Sequence, residues 1–115
     1  MVKKEQPVQK EHLRGGEGSV TICHILSESE LMGHGSMYAK VTIHPHSSIG
    51  YHQHLGNTEP YYVLSGSGIF IDNDGSRIPI QPGDICTILP GESHGLENPA
   101  DEPLVIMALV INEGC

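Results

Sequence analysis

Gly50-Tyr51-His52-Gln53-His54 places two histidines at positions i and i+2, and in a β-strand that spacing turns both imidazoles to one face. Glu59 follows past a Leu55-Gly56-Asn57-Thr58 turn, so its carboxylate can return beside the rings from the adjacent strand. His94 opens a later strand after the Pro90-Gly91 turn. Three imidazoles and one carboxylate make the donor set for one divalent transition metal: Mn, Fe, Co, Ni, Cu or Zn. Nothing in these donors chooses among the six. Histidine makes up 8 of the 115 residues, against an ordinary usage of about 2 in 100.

A second pair, His44-Pro45-His46, has the same spacing. Pro45 breaks the strand geometry that aligns His52 with His54, so this pair is predicted to be a solvated loop at the mouth of the site. His12, His24 and His34 have no partners at useful spacing. Counting alternate residues from Glu59 sends Tyr61 and Val63 to the metal-facing side and Tyr62 and Leu64 to the other. Tyr61 then reads either as a pocket hydroxyl or as a core aromatic whose hydroxyl is satisfied. By the same count Gln53 and Glu97 point away from the metal. Along 104–112, either Val105, Met107, Leu109 and Ile111 or Leu104, Ile106, Ala108 and Val110 face inward, and both sets are apolar. No inward Asp, Glu, Lys or Arg is therefore expected beyond Glu59. Chemistry that a metal performs nearly alone is favoured. A reaction needing a separate proton donor or acceptor would have to draw on Tyr61, His46 or ion-bound water, and Tyr61 and His46 are the candidate catalytic residues.

These residues must be held by short strands. Glycine and proline account for 22 of 115 residues, too many for a helical domain and suited to strands joined by turns. Nine apolar runs recur between turn signals: 20–26, 37–43, 49–54, 61–64, 68–72, 77–80, 85–89, 94–98 and 104–112. They predict an all-β antiparallel barrel or sandwich of about 8–10 short strands. Asn73-Asp74-Gly75 suits a tight hairpin between two of them. Ser27 to Met32 has the pattern of one capped helical turn, ended by Gly33 and Gly35. Residues 1–18 are polar and close in Arg14-Gly15-Gly16-Glu17-Gly18, which predicts a flexible N-terminal arm and hinge before a folded domain at 19–115.

The net charge is −8, from 6 basic and 14 acidic residues, and most basic positions fall in the first 14. That distribution offers no nucleic-acid footprint. No stretch approaches the ~20 apolar residues of a membrane span, and the N-terminus lacks the apolar run of a secretory signal. A cytoplasmic protein without nucleic-acid or membrane partners is expected. The three cysteines, Cys23, Cys86 and Cys115, form no CxxC pair, so they predict small apolar strand residues and a frayed terminal thiol. A homodimer is expected, because the arm could lay a strand on a neighbour's sheet edge.

Gly50 to Gly66 reads G-x-H-x-H-x4-E-x6-G, and Gly83 to Asn98 reads G-x5-L-x-G-x2-H-x3-N. In these motifs the sequence resembles the cupin superfamily, over about residues 37–111. Leu89 stands at the second motif's proline, and His46 at the first motif's opening glycine. The resemblance implies a jelly-roll β-barrel with a metal inside. It puts His52, His54, Glu59 and His94 on the family's ligand positions and Gly66, Gly83, Gly91 and Asn98 on its turn and support positions. It further implies a mononuclear metal-binding cupin acting on a small molecule, an enzyme with dioxygenase-like or oxalate-decarboxylase-like chemistry. The alternative is a non-catalytic, metal-dependent module that binds a small carboxylate or sugar.

Overall fold

A computed structural model describes residues 1–114; Cys115, expected as a frayed thiol, lies outside the described residues. Among those residues the chain forms eleven strands and one short 3₁₀ turn. The strands are β1 (Val8–Glu11), β2 (Ser19–Leu26), β3 (Gly35–Ile43), β4 (Ser47–Gln53), β5 (Asn57–Thr58), β6 (Tyr61–Ser65), β7 (Gly68–Ile71), β8 (Arg77–Ile80), β9 (Ile85–Cys86), β10 (Ser93–Asn98) and β11 (Leu104–Asn112). Each of the nine apolar runs overlaps a strand. The two that carry no apolar run of their own are β1 and the two-residue β5.

One sheet has the order β1-β2-β3-β11-β6-β9, with β5 also on β11, and the facing sheet has the order β4-β10-β7-β8. Every pairing is antiparallel. Facing antiparallel sheets of this kind bury one face each and leave the other to solvent. The choice left open on β11 is resolved by burial: Leu104 and Ile106 are fully buried and Ala108 nearly so, while Val105 and Met107 are half-buried on the outer face. They pack with Val20, Ile22, Val41, Ile43, Val63, Phe70 and Leu96 between the sheets. Each fully buried Leu or Ile contributes about 1.5–3 kcal/mol relative to an exposed one.

The N-terminal segment read as a flexible arm carries a short strand and a turn. Val8–Glu11 pairs with β2, Val8 opposite Ile22 and Glu11 opposite Ser19, so the arm lies on its own chain's sheet edge, where backbone groups of β2 would otherwise go unpaired. Leu13–Gly15 then turns in a 3₁₀ turn, and Leu13 packs on the core. Apolar patterning could not reveal β1, because all four of its residues are exposed.

The predicted turns hold. Asp72 to Ser76 closes the β7–β8 hairpin, with Gly75 at φ +84°. Ser27 and Glu30 exchange hydrogen bonds, the Glu30 amide to Ser27 Oγ at 3.1 Å and the Ser27 amide to Glu30 Oε1 at 3.0 Å, a capping box that starts a single turn. At the opposite end, buried Asn98 directs its Nδ2 at the carbonyls of Ile43, His44 and Glu102, at 3.0, 3.2 and 2.8 Å, and so ties β10 to the β3–β4 corner. No helix among the described residues is long and apolar enough to cross a membrane.

Candidate metal centre

β4 and β10 are cross-strand partners, and their register sets His94 directly opposite His52. That pairing brings two rings from distant sequence positions to one face. His54 extends the same face just beyond β4. Its amide donates to the Glu92 carbonyl at 2.9 Å, and its own carbonyl accepts from the Gly91 amide at 2.7 Å. The turn 55–58, with Gly56 at φ +75°, reverses the chain and delivers Glu59 ahead of β6.

The result is a compact four-residue cluster. The ring centroids of His52, His54 and His94 lie 4.9, 4.9 and 4.8 Å apart, close to an equilateral triangle. His52 Nε2 is 3.1 Å from His54 Nε2, and Glu59 Oε1 is 3.1 Å from His54 Nε2 and 3.2 Å from His94 Nε2. All four donor atoms fall within 4.8 Å of one another. Two ligands bound about 2.1 Å from one ion at a right angle would be ~3.0 Å apart, so the observed separations fit a shared first-row ion.

Tautomers support the same fit. His52 Nδ1 lies 2.6 Å from the Gly50 carbonyl and His54 Nδ1 lies 2.6 Å from Asn57 Oδ1. Each acceptor takes the Nδ1 proton, so when the two rings are neutral both Nε2 lone pairs face each other across 3.1 Å. Facing lone pairs repel; a cation between them removes the repulsion. His94 Nδ1, in contrast, is buried with no hydrogen-bond partner. Its ring is held by packing instead, stacked on Tyr61 at 5.0 Å and met edge-on by Phe70 at 5.8 Å.

The electrostatics keep a carboxylate in place. Burial alone would raise the Glu59 pKa, but hydrogen bonds to His54 and His94 outweigh it and hold the carboxyl at about 2. Burial lowers the His52 pKa, whereas the hydrogen bond with Glu59 raises that of His54. Tyr61 donates its hydroxyl to Glu59 Oε1 at 3.3 Å and lies 3.4 Å from His94 Nε2. Burial, and then the Glu59 charge, push its pKa well above the ordinary value, so it stays a neutral phenol.

The cluster opens into a cavity of about 450 Å³ walled by Ile22, Met37, Val41, Ile49, Ile106 and Val110. Tyr61 is therefore at once a buried aromatic, a cavity wall and a satisfied hydroxyl. His46 is elsewhere. It is exposed, pairs with Asp101 at 2.6 Å and does not line the cavity, because the His44–Ser47 turn directs it to the other end of the barrel. Glu97 pairs with Arg77 on the outer face, and Gln53, at the cavity rim, donates to the Gly91 carbonyl. The expectation of no further charged group in the cavity does not hold: Arg14 and Glu28 also line it. Strand parity missed them because neither is on a barrel strand. The cue available was the pair of glycines, Gly16 and Gly50, where the segment carrying Arg14 meets β4.

Two facing antiparallel sheets around a three-histidine, one-glutamate cluster define a cupin, and the chain belongs to that family: the Cupin domain model matches residues 39–111. Within it, the chain is 39% identical over 105 residues, 91% of its length and 86% of the relative's, to an oxalate-binding protein of Thermotoga maritima. Its fold is similar to the crystal structure of a predicted oxalate decarboxylase from Thermotoga maritima, with TM-score 0.92 and 37% identity over 97% of this chain and 99% of that one. A Klebsiella pneumoniae protein with a double-stranded beta-helix domain matches with TM-score 0.64 and 26% identity, over 70% of each chain.

Proposed function

We propose that this cupin binds a short dicarboxylate of the oxalate class at a single divalent transition metal held by His52, His54, Glu59 and His94. The observation that carries this reading is the four-donor cluster, three of whose members, His52, His54 and Glu59, line a cavity with aliphatic walls. The oxalate-binding relative supports the ligand class. When bound, the metal supplies a Lewis acid with open positions for ligand oxygens. The chain's own residues do the rest. Asn57 and the Gly50 carbonyl orient two imidazoles, Tyr61 and Phe70 clamp the third, and aliphatic side chains wall the cavity beside them.

A second reading is turnover, by decarboxylation of the bound acid. Tyr61 favours it, as a protonated phenol within 3.4 Å of both Glu59 and His94 and so the proton donor nearest the cluster. Dioxygenase-like oxidation draws no comparable support from the cavity.

Calorimetric titration of metal-loaded protein with oxalate, with CO₂ and formate measured in parallel, tests both. Saturable 1:1 binding without product supports the binding module, and product formation abolished by Tyr61→Phe supports the enzyme. Absence of both binding and turnover rejects the oxalate reading. We also propose a homodimer. Tyr62, Leu64 and Ile85 stand exposed together on the outer face of the larger sheet, and light scattering reads the mass directly.

A further inference from the structure

Three of the six basic side chains are paired at the surface, Lys3 with Glu30, Lys40 with Glu5 and Arg77 with Glu97. Arg14 is placed differently. It lines the same cavity as His52, His54, Glu59 and Tyr61, where it is the one Lys or Arg, and among the described residues its guanidinium has no hydrogen-bond or ion-pair partner. Glu28, on the same cavity, makes no ion pair with it.

The backbone beneath Arg14 is elaborately constrained. His12, Arg14 and Gly15 all have positive φ, at 52°, 54° and 79°, a conformation that non-glycine residues adopt only when their surroundings enforce it. Here the surroundings do. The Gly15 amide donates to the His12 carbonyl and the Gly16 amide to the Leu13 carbonyl, at 2.9 and 3.0 Å. The Ser48 amide donates to the Glu17 carbonyl at 2.9 Å, and the Glu17 amide to Ser48 Oγ at 2.8 Å. A Cβ at Gly50 would collide with the Arg14 carbonyl oxygen, and one at Gly16 with the Ser48 carbonyl. The turn is thus locked onto β4 two residues before His52. Only Leu13 anchors it in the core, which is little apolar burial for so much strained backbone. This arrangement fixes where the Arg14 side chain departs from the backbone, and that side chain, exposed to solvent, lines the cavity.

We propose that Arg14 is the residue that selects dicarboxylates: its guanidinium takes the carboxylate left at the mouth when the rest of the ligand sits at the four-donor cluster. This rests on the oxalate-class reading above. Unpaired guanidinium suits a carboxylate, which it can hold through two parallel N–H donors. A guanidinium at the cavity adds to the pull of the metal on a dianion approaching a chain whose net charge is −8.

The test is calorimetry of metal-loaded wild type, Arg14→Ala, Arg14→Lys and Arg14→Gly with oxalate, malonate and formate, with metal content measured alongside. Arg14→Gly removes the side chain while suiting the left-handed backbone, so it remains informative if Arg14→Ala folds poorly. The expected result is a ~10–100-fold loss of dicarboxylate affinity in the Ala and Gly variants, as for a lost charged hydrogen bond. Formate affinity should stay within ~3-fold and metal content should not change, with partial recovery in Arg14→Lys. Dicarboxylate affinity within ~2-fold of wild type in Arg14→Gly overturns the assignment of Arg14 and leaves the oxalate reading standing. So does an equal loss for formate, which would make the turn only a shaper of the mouth. Wild type that binds neither dicarboxylate overturns both.

Discussion

The chain contains two histidine pairs of identical spacing, and only one of them gathers a site. His52 on β4 and His54 just past its end keep their Nε2 atoms 3.1 Å apart, with His94 on β10 opposite His52. His44 and His46 flank Pro45 at the β3–β4 corner, and their rings diverge. His44 Nε2 meets Thr21 Oγ1 at 2.7 Å and His46 pairs with Asp101 at 2.6 Å. An i, i+2 spacing aligns two side chains only while the backbone between them is extended. It becomes a site only where neighbouring strands add further donors.

The largest way to break this contrast is to delete a donor. His94→Ala is expected to abolish stoichiometric metal binding, read by elemental analysis of tag-free protein. It should also abolish the stabilisation, about 2.7 kcal/mol, that metal at ~100 times its Kd confers on a protein that binds it only when folded. His44→Ala and His46→Ala should keep both. A smaller change spares the donors and removes an orienting partner. Asn57→Ala frees His54 Nδ1 and should weaken metal affinity by about 10–100-fold in a competition titration with a chelator. The corner pair can be sharpened from its own side: His46 has φ +57°, a strain of about 1 kcal/mol for a residue with a Cβ. His46→Gly should therefore raise stability in denaturant melts by up to about 1 kcal/mol without altering metal content, and a clear loss would show that the Asp101 pair matters more than the backbone. The smallest effect expected is at Arg77 and Glu97. Hydrogen bonding to Arg77 lowers the Glu97 pKa, so the pair's contribution is full above the ordinary glutamate pKa and disappears as pH falls through the lowered value. As an exposed pair it is weak, and Arg77→Ala should shift Tm by an amount near the limit of measurement at neutral pH and by nothing below that window.

The clustering of His52, His54, Glu59 and His94 was legible in sequence because period-two alternation and the turn residues around them are local rules, and β4, β10 and the 55–58 turn obey both. The inward face of β11 was not, since Leu104, Ile106 and Ala108 alternate with residues equally apolar. Only the pairing with β3 and β6 decides which set is covered. Arg14 was hidden for a related reason. Its place depends on an approach between residues 14–16 and 48–50 that no local pattern encodes, although Gly16 and Gly50 mark where it occurs. Strand β1 has neither an apolar face nor a turn motif, and only the open edge of β2 calls for it.

Strand β11 lies inside the larger sheet, hydrogen-bonded to β3, β5 and β6. During synthesis, His52, His54, Glu59 and His94 all emerge from the ribosome before residues 104–112 do. Until then β3 and β6 lack the strand that joins them, and their apolar inner faces stand open to other nascent chains. On the metal-binding reading proposed above, ion capture before that point would have only a half-built container, so loading is expected only once residues 104–112 have emerged and paired.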